Sequence, residues 1–409
     1  MPVSLTSGRS SLPAVTDLLS IDEALERVLA RARPLAAEDV PLEHAHGRVL
    51  AEPARALVDL PPFDSSAMDG YALRAADTPG SLPVVARIAA GRPAPRRLEP
   101  GEAMAIATGG ALPQGADAVV PIEEASEADG LLDAPQARAG SHVRPCGGDV
   151  RHGDVVVDAG TRLGAAQLGA LAAAGIATAR AALPPRVAIL ATGTELRPPG
   201  ERLAPGEIYE ANGVMLAAQV ASAGGLADRL APVADDNAAH RDALARGLDY
   251  DVLVSSGGVS VGPHDLVRRV GSDLGVAEIF WGVAVKPGKP LWFGVRGRTL
   301  VFGLPGNPVS SLVCFELFVR PALLALQGAA DASPRYEPAE LARAVRRNAA
   351  RDELVRARST VRDGRTTVEP LSGQESHMIA RAAGADVLAF VPRGDGELAV
   401  GTVVRFLRI

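Results

Sequence analysis

DVLVSSGGVSVGPHDL, residues 251–266, sets an apolar run against a turn of serines and glycines. KPGKP at 286–290 and TLVFGLPGNPVSS at 299–311 follow in the same style. Val252 to Val254 reads as a buried strand ending at Ser255, Ser256, Gly257 and Gly258, with Ser260 just beyond. Glycines without Cβ atoms let backbone amides and hydroxyls approach a ligand there. Pro263 suits the first turn of the next helix, where its missing N–H costs nothing. Thr299 to Phe302 reads as a strand, Gly303 to Gly306 as a tight turn around Pro305, and Asn307-Pro308 as an N-cap followed by proline. Between the two, Pro287-Gly288 makes a rigid turn that holds Lys286 and Lys289 near whatever anion binds. A single turn of this kind is ordinary βα punctuation. Three in succession, with two lysines, predict an anion-binding crevice for a phosphate or oxyanion.

Residues from about Pro184 to Gln327 alternate strand and helix: Arg186 to Ala191, Gly213 to Ala223, Leu226 to Val233, Ala238 to Gly247, Val252 to Ser255. That alternation predicts an α/β domain with a mostly parallel sheet, whose ligands sit beyond the carboxyl ends of the strands. Acidic residues follow successive strands at that rim: Glu195 in ATGTEL, Asp235 and Asp236 after Leu230 to Val233, and Asp265 after SSGGVSVG. Glu195, Asp235 and Asp265 suit Mg²⁺ beside a phosphate. The alternative for Asp235 or Asp236 is helix capping.

At 409 residues the chain exceeds one ordinary core, and the length prior is roughly two to four domains. Aromatics are only 3%, so the interior must rest on Ala, Val and Leu. A net charge of −6 with no basic arm or stripe argues against nucleic acid as a bulk partner. Cys146 and Cys314 lie far apart without metal-ligand spacing, which fits a reducing cytoplasm, and Cys314 reads as a small core residue. MPVSLTSGRSSLPAVT at the start lacks an apolar segment and reads as a leader rather than a signal peptide. No apolar stretch reads as long and unbroken enough to span a bilayer, so no membrane partner is expected.

Ile21 to Arg33 has helical spacing, with Ser20 and Glu23 placed for a capping box. It opens a first region that runs to about Ala56. Short β-like runs follow, Leu82 to Ile88, Ala103 to Ala107 and Ala118 to Pro121, and predict an inserted β domain at 57–144. Asp154 to Asp158 and Ala165 to Ala174 return to strand and helix. After residue 328, Leu354 to Val361, Thr366 to Pro370, Ala385 to Val391 and Val403 to Ile409 read as a small closing β domain, interrupted by a helix at His377 to Ala382.

Upstream of the insertion, PPFDSSAMDGYALR (61–74) sets Asp64, Ser65, Ser66 and Asp69 among Phe63, Met68 and Tyr71, as in a loop anchored by apolar side chains. Thr108 in IATGGALP and Arg144 and Asp149 in GSHVRPCGGDV are further polar points at the edges of the insertion. With ATGGALPQGADAVV, ATGTEL, SSGGVSVGPHD, KPGKP, GLPGNPVSS and GQESHM, these strings follow the order found in the molybdopterin molybdenumtransferase family. The resemblance is to the MoeA type, similar to the E domain of gephyrin, and runs from about Ser20 to the C-terminus.

The resemblance implies an α/β multidomain protein and a homodimer. Its parts would be a discontinuous N-terminal domain (17–56 and 145–183), the inserted β domain, a three-layer α/β/α molybdopterin-binding domain (184–328) and a C-terminal small β-barrel (329–409). It implies insertion of molybdate into adenylated molybdopterin with Mg²⁺, releasing AMP and the molybdenum cofactor. The pterin dithiolene supplies soft sulfur ligands to the metal. Cleavage of the phosphoanhydride is a matter of positioning and charge neutralisation. Asp69, Thr108, Asp149, Glu195, Asp235 and Asp265 match catalytic positions. Arg144, Ser255, Ser256, Gly257, Gly258, Ser260, Lys286, Lys289, Pro305, Asn307 and Ser376 match substrate-binding ones, with Ser376 near the molybdate pocket. Arg351 and Arg356 fall where the family carries arginines, in a stretch that aligns loosely. In the family the active site lies between the first two domains of one subunit and the last two of the other. The upstream adenylyltransferase and recipient molybdoenzymes are the implied protein partners.

Two departures stand out: Gly282 after Trp281, and Gly147-Gly148 before Asp149, where relatives carry bulkier or acidic residues. A receptor-clustering scaffold of the gephyrin kind is the main alternative, although the acidic positions are all present. An adenylyltransferase would need only the α/β unit, and a dinucleotide oxidoreductase would need a GxGxxG after a strand, which the chain lacks.

Overall fold

Alternate residues of the central strands after 184 pack into two different cores. That sidedness defines the architecture. The computed structural model describes residues 18–234, 236–259 and 266–409. Two compact units separate, 37–181 and the described part of 1–36 with 182–409.

In the larger unit, β1 (Arg186–Ala191), β2 (Leu226–Arg229), β3 (Val252–Ser256), β4 (Ala277–Trp281), β5 (Trp292–Arg296) and β6 (Thr299–Leu304) stand in the order β2-β1-β3-β6-β5-β4. The first four in that order are parallel, and β5 and β4 close the edge antiparallel. Val187, Ile189, Val252, Val254, Leu300 and Phe302 belong to one core, whereas Ala188, Leu190, Leu253 and Val301 belong to the other. The period of two in a strand puts these neighbours on opposite faces, and helices cover both, giving three layers. Strands buried on both sides must be apolar throughout, as RVAILA and VLVSS nearly are.

The helix α1 (Ile21–Leu29) has the expected capping box: Glu23 N donates to Ser20 Oγ at 3.2 Å and Ser20 N to Glu23 Oε2 at 2.8 Å. It ends four residues earlier than its periodicity suggests, since the residue before Pro34 is pushed out of helical geometry. Ile21, Ala24 and Val28 join the core of Phe315 and Leu323. The first helix thus groups with the α/β layers rather than with the segment running to Ala56. The long run expected at Leu226 to Val233 also shortens. Pro232 has no N–H for a ladder, and Val233 keeps only a single bridge to Thr192.

One expectation is corrected. Pro308–Leu326 is a continuous apolar helix of 19 residues, long enough by composition to cross a membrane. It is the mostly buried central helix of this unit, with Phe315, Leu317, Phe318 and Val319 fully enclosed. Its middle widens to a π turn at Phe315–Val319, just before Pro321, which has no N–H to donate.

Beyond it, Asp352–Arg362, Arg365–Pro370, Glu337–Leu341, Val403–Arg408 and Val387–Val391 pair in succession, and the last returns to the first, closing a barrel. Val285–Lys286 adds to its edge in parallel, with Lys286 opposite Glu353.

In the smaller unit, a six-stranded sheet runs in the order Ala118–Pro121, Gly70–Leu73, Ala103–Ile106, Gly80–Ile88, Leu131–Ala134, Ser126–Ala128. Ala37–Pro41 pairs with Thr178–Ala182, and Ala54–Arg55 with Val155–Val157, around a core of Val40, Leu50, Val157 and Leu171. The backbone at Gly70 leaves no room for a side chain, because a Cβ there would lie 2.1 Å from the carbonyl oxygen of Val120. Gly70→Ala is expected to destabilise this unit by about 3 kcal/mol, read as a lowered urea midpoint with an unchanged slope.

Candidate active site

Strands β1, β3 and β6 end at the same level, with Ala191 opposite Ser256 and Ser256 opposite Leu304. Their turns therefore leave the sheet side by side. Gly257 and Gly258 have φ of +93° and +67°, and a Cβ on Gly257 would meet the Thr192 side chain and carbonyl at 2.7 and 2.8 Å. Only glycine fits this approach. The turns enclose a cavity of about 590 Å³ lined by Thr192, Glu195, Asn212, Gly257, Gly258 and Asn307, among others.

The roles expected for this turn need partial correction. The Gly257 amide is already committed to the Leu304 carbonyl at 3.0 Å. The Ser255 hydroxyl is enclosed in the sheet and has no hydrogen-bond partner among the described residues. Ser256 lines the cavity, but its hydroxyl accepts from Asn212 Nδ2 at 2.7 Å and lies 3.3 Å from Ser311 Oγ. Asn212, at the start of α2 (Asn212–Ser222), was not among the expected site residues. Its Nδ2 also donates to the Gly306 carbonyl at 2.7 Å, so one carboxamide fastens two turns. The only sequence signal was a polar residue immediately before a predicted helix.

Asn307 does occupy the N-cap position of α3 (Pro308–Cys314), with Pro308 inside the first turn, yet its side chain makes no cap. It donates instead to Ser376 Oγ at 2.7 Å, while Val309 N donates to the Ser376 carbonyl at 3.1 Å. Two expected site residues, 69 positions apart, are thus joined directly. Around them lies a second cavity of about 470 Å³, lined by Lys286, Lys289, Arg351, Ser310, Ser376 and His377, among others. Pro290, Pro305, Asn307 and His377 line both cavities, which makes them neighbours.

Charge in the second cavity is uneven. Lys286 Nζ is paired with the mostly buried Glu353 at 2.6 Å. Lys289 is exposed and has no ion pair among the described residues. Beneath the lysine turn, a Cβ on Gly288 would lie 2.7 Å from Cys314 Sγ, and burial pushes that thiol's pKa up.

Glu195 is exposed at the rim of the first cavity, its carboxylate folded over Gly193 and without an ion pair among the described residues. An exposed carboxylate at a cavity rim fits a hard, hydrated cation such as Mg²⁺. Asp235, Ser260, Pro263 and Asp265 lie outside the described residues, within which no cluster of three acidic, His or Cys side chains forms. Asp236 takes the capping role, accepting from Ala239 N at 2.9 Å.

In the smaller unit, Asp69, Thr108, Arg144 and Asp149 are all exposed. Asp69 Oδ1 accepts from Thr108 N at 2.7 Å. Ser65 and Ser66 pair with Arg144 and Val143, and Ser66 exchanges backbone hydrogen bonds with the 109–110 turn. The 61–74 loop is thus stitched to both other polar segments. Of its expected apolar anchors only Tyr71 is buried; Phe63 and Met68 are exposed at 45% and 39%. Of the two departures, Gly282 has φ of +88° and a Cβ there would press on Leu18, so this backbone requires glycine. At Gly148, the second departure, φ is not left-handed, and a Cβ there would lie 3.0 Å from the Pro145 carbonyl oxygen.

The family description "MoeA N-terminal region (domain I and II)" matches residues 19–175, "Probable molybdopterin binding domain" matches 188–325, and "MoeA C-terminal region (domain IV)" matches 338–409. A molybdopterin molybdenumtransferase 2 from Mycobacterium tuberculosis is 39% identical over 382 residues, covering 89% of this chain and 93% of its own length. The chain belongs to the molybdopterin molybdenumtransferase family. Another of these enzymes, from Haemophilus influenzae, is 31% identical over 95% of this chain and 98% of its own. The crystal structure of a molybdopterin biosynthesis moeA protein from Pyrococcus horikoshii OT3 superposes with a TM-score of 0.83 at 28% identity, covering 96% of this chain and 100% of that one.

Lys286→Ala leaves the Glu353 carboxylate unpaired beside the cavity, whereas Lys286→Ala with Glu353→Gln removes both charges. Calorimetry with a tetrahedral oxyanion such as sulfate should show about a tenfold loss of affinity in the single variant and under about threefold in the double. Asn212→Ala strips the Gly306 carbonyl of its side-chain donor and should cost about 2 kcal/mol of stability by chemical denaturation.

Proposed function

We propose that this protein is itself a molybdopterin molybdenumtransferase that inserts molybdate into adenylated molybdopterin, releasing AMP and the molybdenum cofactor. The observation that carries the reading is the adjacency of the two cavities. One is shaped by glycine turns at strand ends, the other is lined by Lys286, Lys289 and Arg351, and Asn307 and His377 line both. The first suits the phosphate-bearing substrate and the second a tetrahedral oxyanion.

In this reading water attacks a phosphorus of the phosphoanhydride, the P–O–P bridge breaks, and AMP departs with one phosphate group. Glu195, with Asp235 and Asp265, would hold Mg²⁺, which supplies charge neutralisation at the phosphates. Glycine turns hold the substrate close to the strand ends, and Asn212 keeps the β3 and β6 turns at a fixed separation. Lys289 neutralises molybdate beside the Lys286–Glu353 pair, and Ser376, positioned by Asn307, offers it a hydroxyl. Asp69, Thr108, Arg144 and Asp149 contribute through the loop cluster of the smaller unit. The resemblance to the family further supports a homodimer, the four-part division of the chain, and delivery of product to recipient molybdoenzymes. A cytoplasmic setting fits the free thiols of Cys146 and Cys314.

The test is AMP release from adenylated molybdopterin by purified protein with Mg²⁺, with and without molybdate. Molybdate-stimulated release with cofactor formation is the expected outcome. Tight binding of the adenylate without release would point to a scaffold instead. Asp69→Asn preserves the acceptor for Thr108 N and removes only charge, and should lower turnover at least about 100-fold with the fold intact. Glu195→Gln should raise the Mg²⁺ concentration needed for half-maximal rate.

A further inference from the structure

Arg356 is only 1% exposed and ranks among the largest fully buried side chains. Taking a guanidinium out of water is costly unless its protons are matched. No ion pair matches it among the described residues. Its Nη1 donates to the Met378 carbonyl at 2.8 Å, and its Nη2 to the Gly373 and Glu375 carbonyls at 2.7 and 3.2 Å. All three acceptors belong to one loop, and Gly373 takes a φ of +73° in it. The same loop is tied to the Arg356 backbone. Arg356 N donates to Gln374 Oε1 at 3.0 Å, and Gln374 Nε2 returns a bond to the Arg356 carbonyl at 2.9 Å.

That loop presents Ser376 and His377 to the lysine cavity, which Arg356 itself does not line. We propose that Arg356 is a positioning residue: a buried cation around which the 371–378 loop is moulded, setting oxyanion affinity without touching the oxyanion. Its rigid fork can serve three carbonyls at once, which a lysine ammonium on a flexible stem cannot do in the same geometry. The Glu375 carboxylate offsets part of the guanidinium charge, so the role rests on the fork and its three carbonyl partners.

The inference rests on the transferase reading for its kinetic arm only. Arg356→Lys keeps the charge and loses the fork. It is expected to raise the molybdate concentration for half-maximal turnover about tenfold while kcat stays within about threefold. It should also speed amide hydrogen exchange across 373–378 in the full-length protein. Gln374→Ala, which loosens the same loop without altering the guanidinium, should move both readouts in the same direction, and serves if the arginine variant fails to fold. Accelerated exchange with an unchanged molybdate response would overturn the proposal, as would unchanged exchange in either variant. Should the wild-type protein show no molybdate-dependent turnover, the transferase reading fails by itself. Molybdate binding by calorimetry, compared between wild type and variants, then decides the positioning role.

Discussion

A single carboxamide, that of Asn212, fixes the spacing of the turns that leave strands β3 and β6, through bonds to the Ser256 hydroxyl and the Gly306 carbonyl. The strands are adjacent and parallel, and just past the end of β3 the Gly257 amide still bonds to the Leu304 carbonyl of β6. Asn212 adds a side-chain tie between the two turns. The Ser311 hydroxyl adds a bond to the Pro305 carbonyl at 2.5 Å, closing the same knot from the central helix. Around that knot, the Gly257 turn closes on Thr192 and Asn307 reaches across to Ser376.

The lysine cavity depends on a different joint. Lys286 ends a short strand that extends the edge of the C-terminal barrel beside Asp352 and Glu353. Ser376, from the loop that follows a barrel strand, is fastened to Asn307 at the head of the central helix. The cavity is therefore walled on one side by the α/β layers and on the other by the barrel, with direct bonds between them. Its charge balance follows from that joint, because the barrel contributes the carboxylate that pairs with Lys286 as well as Arg351.

Much of the fold was legible because its signals are local. Ser20 and Glu23 announce a capping box, and RVAILA and VLVSS are long enough as apolar runs to mark strands buried on both faces. Side-chain use was harder to read, because it depends on contacts between residues distant in sequence. Asn307 looked like a cap and was diverted to Ser376. Ser255 looked like a ligand and was sealed into the sheet. Phe63 and Met68 looked like anchors and face outward. Asn212 carried no motif of its own, and its importance arises only when the α2 start is folded against the two turns. The grouping of the first helix was similarly hidden, since amphipathic spacing reveals an apolar face but not what covers it.

Cys314 lies under the KPGKP turn, its sulfur where a Gly288 side chain would be and 3.5 Å from the Gly288 carbonyl, while Cys146 is exposed. The two thiols differ in access and, for Cys314, burial also suppresses the thiolate that alkylating reagents consume. A reagent could reach Cys314 only by displacing the turn packed over it. The chain thus carries a buried thiol directly beneath the turn that bears Lys286 and Lys289.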